Sequence, residues 1–386
     1  MAFTADWQPL LRLLLLTLLL ALLPLGWWWW RQRQRPPRVR LALLTALTLF
    51  LTFDLIVFGS FTRLTDSGLG CPDWPGCYGH ASPVGARSEI RAAEIALPTG
   101  PVTVAKAWIE MLHRYLAMVV GLLILIAAVL GWRSRQHLPH SAWWGAATLA
   151  WVLVQGLFGK YTVTLKLYPA VVTLHLLGAL VLLGLLTVQH ESFQDRPLRA
   201  RVPIAAVAAV LGLVLLQAAL GGWVSTNYAV LACSGFPSCN GQWWPEMDFA
   251  AGFSILRPLG LEADGSGLPF PALVAVHWVH RAAALVVVAG VLALAWALWR
   301  TAEPVARRYA LALVGLLVWQ VLSGVSNVVL GWPILAALCH SAGAAALVGV
   351  LTSLLMRRRL AERGRLSSPV SDVRLSGRPT AATASR

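Results

Sequence analysis

Charge is what this 386-residue chain has least of: 12% of its residues are charged, where a soluble domain carries about 25%. That shortage excludes an ordinary soluble fold and fits a chain that sits mostly in lipid. Acids are the scarcer sign, 16 Asp and Glu against 31 Lys and Arg. The ten-residue alternation of an outer-membrane barrel is missing, so strands are not expected. Cysteine is rare as well, five in all, and the pairs lack the C-x-x-C spacing of a redox motif.

What is there instead is long apolar runs. A bilayer core takes about 20 apolar residues per helix, and such runs recur at 10–30, 41–60, 108–132, 143–159, 170–189, 202–222, 271–299, 309–330 and 333–356. Nine spans are expected. The formal net charge of +15 is distributed as a topology signal and not as a nucleic-acid surface. Arg31, Arg33, Arg35, Arg38 and Arg40 lie between the first two runs, and Arg133 and Arg135 follow the third. Arg196, Arg199 and Arg201 follow the fifth, Arg300, Arg307 and Arg308 the seventh, and more arginines fill the tail from Arg357. If nine spans alternate, all of these share one side, which is then cytoplasmic. Asp66, Asp73, Glu89, Glu94, Glu246, Asp248, Glu262 and Asp264 fall on the opposite loops. The first run competes with a signal-peptide reading. No small-residue cleavage site follows it, and it ends on the tryptophans at 27–30 and an arginine cluster, an interfacial anchor, so a retained helix is expected. From Ser367 the chain is rich in Ser, Thr, Ala, Arg and Pro and reads as disordered.

The chain repeats itself. Residues 58–79, FGSFTRLTDSGLGCPDWPGCYG, align without a gap on residues 220–241, LGGWVSTNYAVLACSGFPSCNG. Gly59 meets Gly221, Cys71 meets Cys233, Pro75 meets Pro237 and Cys77 meets Cys239. Further on, His113 and Arg114 match His280 and Arg281; Gln155, Gly159, His175 and Gly178 match Gln320, Gly324, His340 and Gly343. Four spans separate each element from its copy, and an even number makes the repeats parallel, related by an axis along the membrane normal. The expected fold is an all-α integral membrane protein of two tandem four-helix bundles, residues 41–201 and 202–356, related by a pseudo-two-fold axis. An extra N-terminal helix with its Arg-rich linker (1–40) precedes them and a basic, disordered tail (357–386) follows.

Ionisable residues inside spans are functional candidates by default. Four spans carry a matched histidine, His113, His175, His280 and His340, each five to ten residues from the outer end of its run. They therefore lie at one level, and each half can aim two imidazoles into its bundle centre. Two opposed imidazoles suit six-coordinate haem iron, and bundle interiors commonly house such sites. The blander alternative is interhelical hydrogen bonding, which does not require matched depth. Copper or zinc would favour a closer cluster of His, Cys or carboxylate. Arg114 and Arg281 suit a haem propionate or snorkel to the interface. Glu110 lies one turn before His113, on the same helix face; its counterpart is His277. The halves thus differ where a carboxylate near a haem would move protons or stabilise a cation, unless Glu110 merely meets water. Cys71 with Cys77 and Cys233 with Cys239 fall on outer loops, where disulfides persist; they are read as clips or, more sharply, as thiol pairs that pass electrons. Cys339 has no partner in the repeat, and His80, His137, His140 and His190 are loop or interface residues.

The stretches GSFTRLTDSGLGCPDWPGCYG, EMLHR, TLHLLG, CNGQWWPEMDF, VHRAA and LCHSAGA resemble the heme A synthase family. The resemblance runs from about 41 to 356; the first span departs from the family's eight-helix plan. It implies conversion of haem O to haem A, a ring methyl being oxidised to a formyl group by successive hydroxylations, with haem b as cofactor. It further implies that His280 and His340 are the axial ligands of haem b, and that His113, His175 and Glu110 form the active site for the substrate haem. The implied setting is a bacterial cytoplasmic membrane, with the cysteine loops periplasmic and the C-terminus cytoplasmic. Beyond substrate and lipid, candidate partners are a haem O synthase, cytochrome oxidase assembly factors and a second copy of the chain; nucleic acid is not among them. Two rivals stand beside this reading. A non-catalytic di-haem cytochrome b wants haems near both faces, and an outer-face thiol–quinone oxidoreductase needs reactive cysteines and no intramembrane histidines.

Overall fold

A computed structural model describes residues 8–138, 141–262 and 264–366 of the chain. His140 and the segment from Ser367 lie outside the described residues. The structure is all-helical, with only isolated bridges such as Cys77 with His80 and Cys239 with Gln242 among the described residues. In chain order the helices are α1 (Gln8–Gln32), α2 (Pro37–Leu64), α3 (Arg87–Ala96), α4 (Val104–Arg133), α5 (Trp143–Thr164), α6 (Pro169–Gln194), α7 (Ile204–Thr226), α8 (Phe249–Gly252), α9 (Phe270–Trp299), α10 (Pro304–Val329) and α11 (Ile334–Leu366). Proline opens α2, α6 and α10, where its missing N–H is no loss and its fixed φ suits the first turn. Thr103 caps α4, its hydroxyl accepting from the Lys106 amide at 3.2 Å.

Among the described residues, eight helices are long and apolar enough to cross a membrane: α1, α2, α4, α6, α7, α9, α10 and α11. The ninth expected span, α5, falls short in apolarity because of Gln155, Lys160 and its tryptophans. Its 22 residues still reach about 33 Å at 1.5 Å each. It runs antiparallel along α6, with the Gln189 amide on Thr148 Oγ1 near one end, Trp151 Nε1 on the Gly178 carbonyl (2.8 Å) in the middle, and Gly159 against His175 near the other. Its polar side chains Thr148 and Gln155 are buried against neighbours. The outer surface is apolar instead: Leu19, Leu23, Leu285, Trp296 and Leu335 are all more than half exposed, a skin that suits lipid and would aggregate in water.

The helices pack in two rings of four. In the first, α2 touches α4 and α6, and α5 bridges α4 and α6; in the second, α7 touches α9 and α11, and α10 bridges α9 and α11. The rings meet through α6 on α11, α6 on α7 and α2 on α11. Exchanging each helix for its repeat mate turns α2 on α11 into α7 on α6 and leaves α6 on α11 unchanged. At the loop end, aligned positions touch one another: Arg63 donates to the Ser225 carbonyl and lies 4.0 Å over the Tyr228 ring, while the Tyr228 hydroxyl donates to Asp66 at 2.6 Å. The largest apolar core fills the joint and the second ring, with Leu180, Val207, Val291, Leu298, Leu313 and Leu351 almost fully buried.

α1 packs on α4 through Leu13, Ala21 and Trp28, and the Trp28 indole donates to the Arg40 carbonyl at 3.1 Å. The basic segment expected to be disordered from Arg357 begins as helix: α11 continues to Leu366. The extension is held because Arg357 and Arg358 spend their guanidinium donors on the carbonyls of Arg196, Leu198 and Val202, in the segment that joins the two rings.

Candidate haem site

The four matched histidines stand nine, six, ten and six residues beyond the first residues of α4, α6, α9 and α11. At 1.5 Å per residue they lie about 9–15 Å below that end of the bundle. All four helices start at the end that carries the cysteine loops, so the expectation of a common level holds. Within each ring the two histidine-bearing helices are diagonal partners, α4 across from α6 and α9 across from α11. His113 and His175 are near enough to interact electrostatically, as are His280 and His340.

The other diagonal carries glycines. Gly59 on α2 lies under His113, Gly159 on α5 under His175, Gly221 on α7 under His280, and Gly324 on α10 under His340. A Cβ at Gly59, Gly221 or Gly324 would come within 2.9, 3.0 and 3.1 Å of the facing imidazole, so that the ring would have to give way; at Gly159 it would sit at 3.6 Å. The repeat therefore builds the same object twice: two imidazoles on one diagonal and, facing each of them, a glycine on the other. That donor set and that shape fit a flat, bis-histidine-ligated metal macrocycle. Among the described residues no group of three or more His, Cys, Asp or Glu forms a compact metal cluster, so the histidines stand as pairs.

The imidazoles are held differently in the two rings. His340 Nδ1 lies 3.1 Å from Ser323 Oγ, and His280 Nδ1 lies 3.1 Å from the Gln217 amide, which also donates to the His280 carbonyl at 2.9 Å. In the first ring His113 bonds the Leu55 backbone carbonyl and stacks on Phe58, with ring centroids 6.1 Å apart, and His175 Nδ1 is buried without a partner. Gln217 and Ser323 were missed in the sequence. The available signal was a polar residue inside an apolar run within one turn before a glycine seat.

Glu110 is 4% exposed, which removes the water-interface reading. One carboxylate oxygen takes a hydrogen bond from the Cys71 amide at 2.8 Å; the other is ion-paired with Arg114. Arg114 also donates to the carbonyls of Asp73 (2.9 Å), Pro75 (3.3 Å) and Gly76. In the second ring His277 is equally buried, and its Nε2 accepts from Arg281 Nε at 3.2 Å. Arg281 further donates to the carbonyls of Cys233 (2.7 Å), Gly235 (2.9 Å) and Ser238 (3.1 Å). Both arginines, expected to face propionates or water, direct these donors at loop backbone. The loops are closed by disulfides, Cys71 with Cys77 and Cys233 with Cys239, each six residues apart. Each loop is thus a clip bolted by an arginine over its own pair of histidines. Cys339 is a free thiol, and His190 bonds the Ala42 carbonyl at 3.1 Å away from both pairs.

Comparison with known proteins covers the whole of this core. The family described as COX15-CtaA, cytochrome oxidase assembly protein, matches residues 42–352, leaving α1 and the C-terminal segment outside. A protein called Heme A synthase from Shewanella oneidensis is 37% identical over 324 residues, which cover 82% of this chain and 96% of that one. One of the same name from Shouchella clausii is 31% identical over 218 residues, covering 54% of this chain and 65% of its own. Another from Caulobacter vibrioides is 28% identical over 348 residues, covering 84% and 96%.

Proposed function

The chain belongs to the COX15-CtaA family of cytochrome oxidase assembly proteins, and from that premise we propose that it makes haem A from haem O, as an oxidoreductase that converts one ring methyl into a formyl group by successive hydroxylations. The observation that carries this reading is the doubled histidine-and-glycine cradle with a buried carboxylate above only one copy. We assign the first ring, residues 41–201, to the substrate haem and the second, residues 202–356, to haem b. His280 and His340 would hold haem b, and His113 and His175 would hold the substrate. When bound, haem b supplies one-electron transfer. The disulfide clips face the periplasm and the arginine-rich end, with the C-terminus, faces the cytoplasm of a bacterial cytoplasmic membrane. That all four histidines share one end weighs against a carrier that moves electrons across the bilayer.

The first ring's own residues do the following. His113 and His175 bind the substrate from opposite helices, and the glycine seats leave room for its plane. Glu110, one turn above His113, takes up a proton or stabilises positive charge as electrons leave the methyl carbon, a role suited to a preorganised carboxylate. Arg114 and the Cys71 amide fix that carboxylate's orientation. The clip over the pair limits water at the reacting edge.

Expression with a haem O synthase, followed by chromatography of the extracted haems, tests the reading. Wild type is expected to yield haem A with haem b. Glu110→Ala and His113→Ala should lose haem A by about a hundredfold or more while keeping haem b, and His280→Ala should lose haem b. Haem A at the wild-type level in Glu110→Ala would sink the assignment of that residue.

A further inference from the structure

The two rings differ in what stands behind each imidazole. Ser323 Oγ donates its one proton to the Trp319 carbonyl at 2.7 Å. With that proton so placed, the same oxygen accepts from His340 Nδ1, 3.1 Å away, and the ring also bonds the Gln320 backbone carbonyl, so that Nδ1 carries the hydrogen and Nε2 is left with its lone pair. A metal-binding imidazole needs that tautomer, and an acceptor on the far nitrogen fixes both ring orientation and basicity. Gln217 stands behind His280 with its amide nitrogen 3.1 Å from Nδ1, and its carboxamide oxygen is buried with no partner. A half-turn of the amide, which heavy-atom positions do not distinguish, presents that oxygen to an Nδ1–H in exchange for the bond to the His280 carbonyl. The repeat places Leu55 where the second ring has Gln217, and Phe158 where it has Ser323. Consistent with that exchange, His175 Nδ1 is buried and unpaired, and His113 has only a backbone carbonyl.

We propose that Ser323 and Gln217 are positioning residues that lock His340 and His280 as permanent axial ligands, and that Phe158 denies the same lock to His175, so that the first ring's haem binds reversibly. The inference rests on the assignment of haem b to the second ring. It gives a physical reason why one copy keeps its haem and the other turns it over.

The test uses the full chain purified in detergent with its bound haem b. Ser323→Ala is expected to release haem b about tenfold to a hundredfold faster, the usual effect of losing an outer-shell partner. It should also raise the haem midpoint potential, because a less basic imidazole favours ferric iron less, and shift the low-spin ferric EPR signal. Ser323→Thr, which keeps the hydroxyl, should restore all three. Gln217→Leu, the first-ring residue, should act like Ser323→Ala and serves if that variant does not fold. Wild-type potential, EPR signal and release rate in both Ser323→Ala and Gln217→Leu, with haem b lost from His340→Ala, would overturn the lock alone. Haem b retained in His340→Ala would overturn the assignment of the rings and the lock with it.

Discussion

In helix order and packing the two rings are nearly interchangeable, and one turn above the matched histidines they are not. In α9 Arg281 meets an imidazole, His277, and in α4 Arg114 meets a carboxylate, Glu110. Both arginines bolt a disulfide loop by its carbonyls, and both partners are 4% exposed. The framework thus tolerates either residue, and the difference is available for chemistry. Behind the histidines the asymmetry reverses: the second ring has the polar side chains, Gln217 and Ser323, and the first has Leu55 and Phe158. One copy spends its polar groups a turn above its histidine pair and the other beside it.

Removing the bolt should separate the rings most. Arg114→Met leaves Glu110 buried without its cation, which costs about 3–5 kcal/mol. Arg281→Met leaves only unpaired carbonyls and an imidazole, about 1–3 kcal/mol. Thermal unfolding in detergent would show the gap, and equal losses would erase the distinction between the two partners. Opening the clips should do the reverse and treat the rings alike. The two disulfides close loops of the same length, so Cys71→Ser with Cys77→Ser and Cys233→Ser with Cys239→Ser should each cost about 2 kcal/mol on chain entropy. Haem A formation should persist at low temperature in both. Its abolition by one pair alone, in a folded protein, would favour the thiol reading for that loop. The smallest effect lies at the seats. Gly159→Ala meets His175 at ordinary contact distance and should stabilise α5 by up to about 1 kcal/mol through helix propensity. Gly324→Ala crowds His340 and should lower the haem b content of the purified chain, read as haem per polypeptide. Equal haem content in the two variants would show that seat geometry does not matter.

Much of this was legible before any coordinates. Gapless alignment of residues 58–79 on 220–241 gave the repeat, and the offsets of the four histidines gave their common depth, because both follow from helix rise and chain length alone. The role of Arg114 and Arg281 was not legible. It depends on how a loop of about forty residues folds back over its helix, and nothing in the run of residues 65–103 encodes which carbonyls turn inward. α5 was read as a span from its apolar run at 143–159, although Gln155 and Lys160 dilute the apolarity of the whole helix. The helical state of residues 357–366 was missed because an arginine-rich end looks solvated until its partners, the carbonyls of 196–202, are brought beside it.

The joint between the rings, where Arg63 reaches Ser225 and Asp66 reaches Tyr228, brings each position against its own counterpart. An assembly of two separate identical chains with that contact would suffer every substitution twice, once on each side. A carboxylate that helps one site would then also burden the other, and a lock that retains one haem would also trap the second. The covalent connection through residues 195–203 removes that constraint. It lets a single polypeptide carry two different sites a few helices apart, each edited without consequence for its twin.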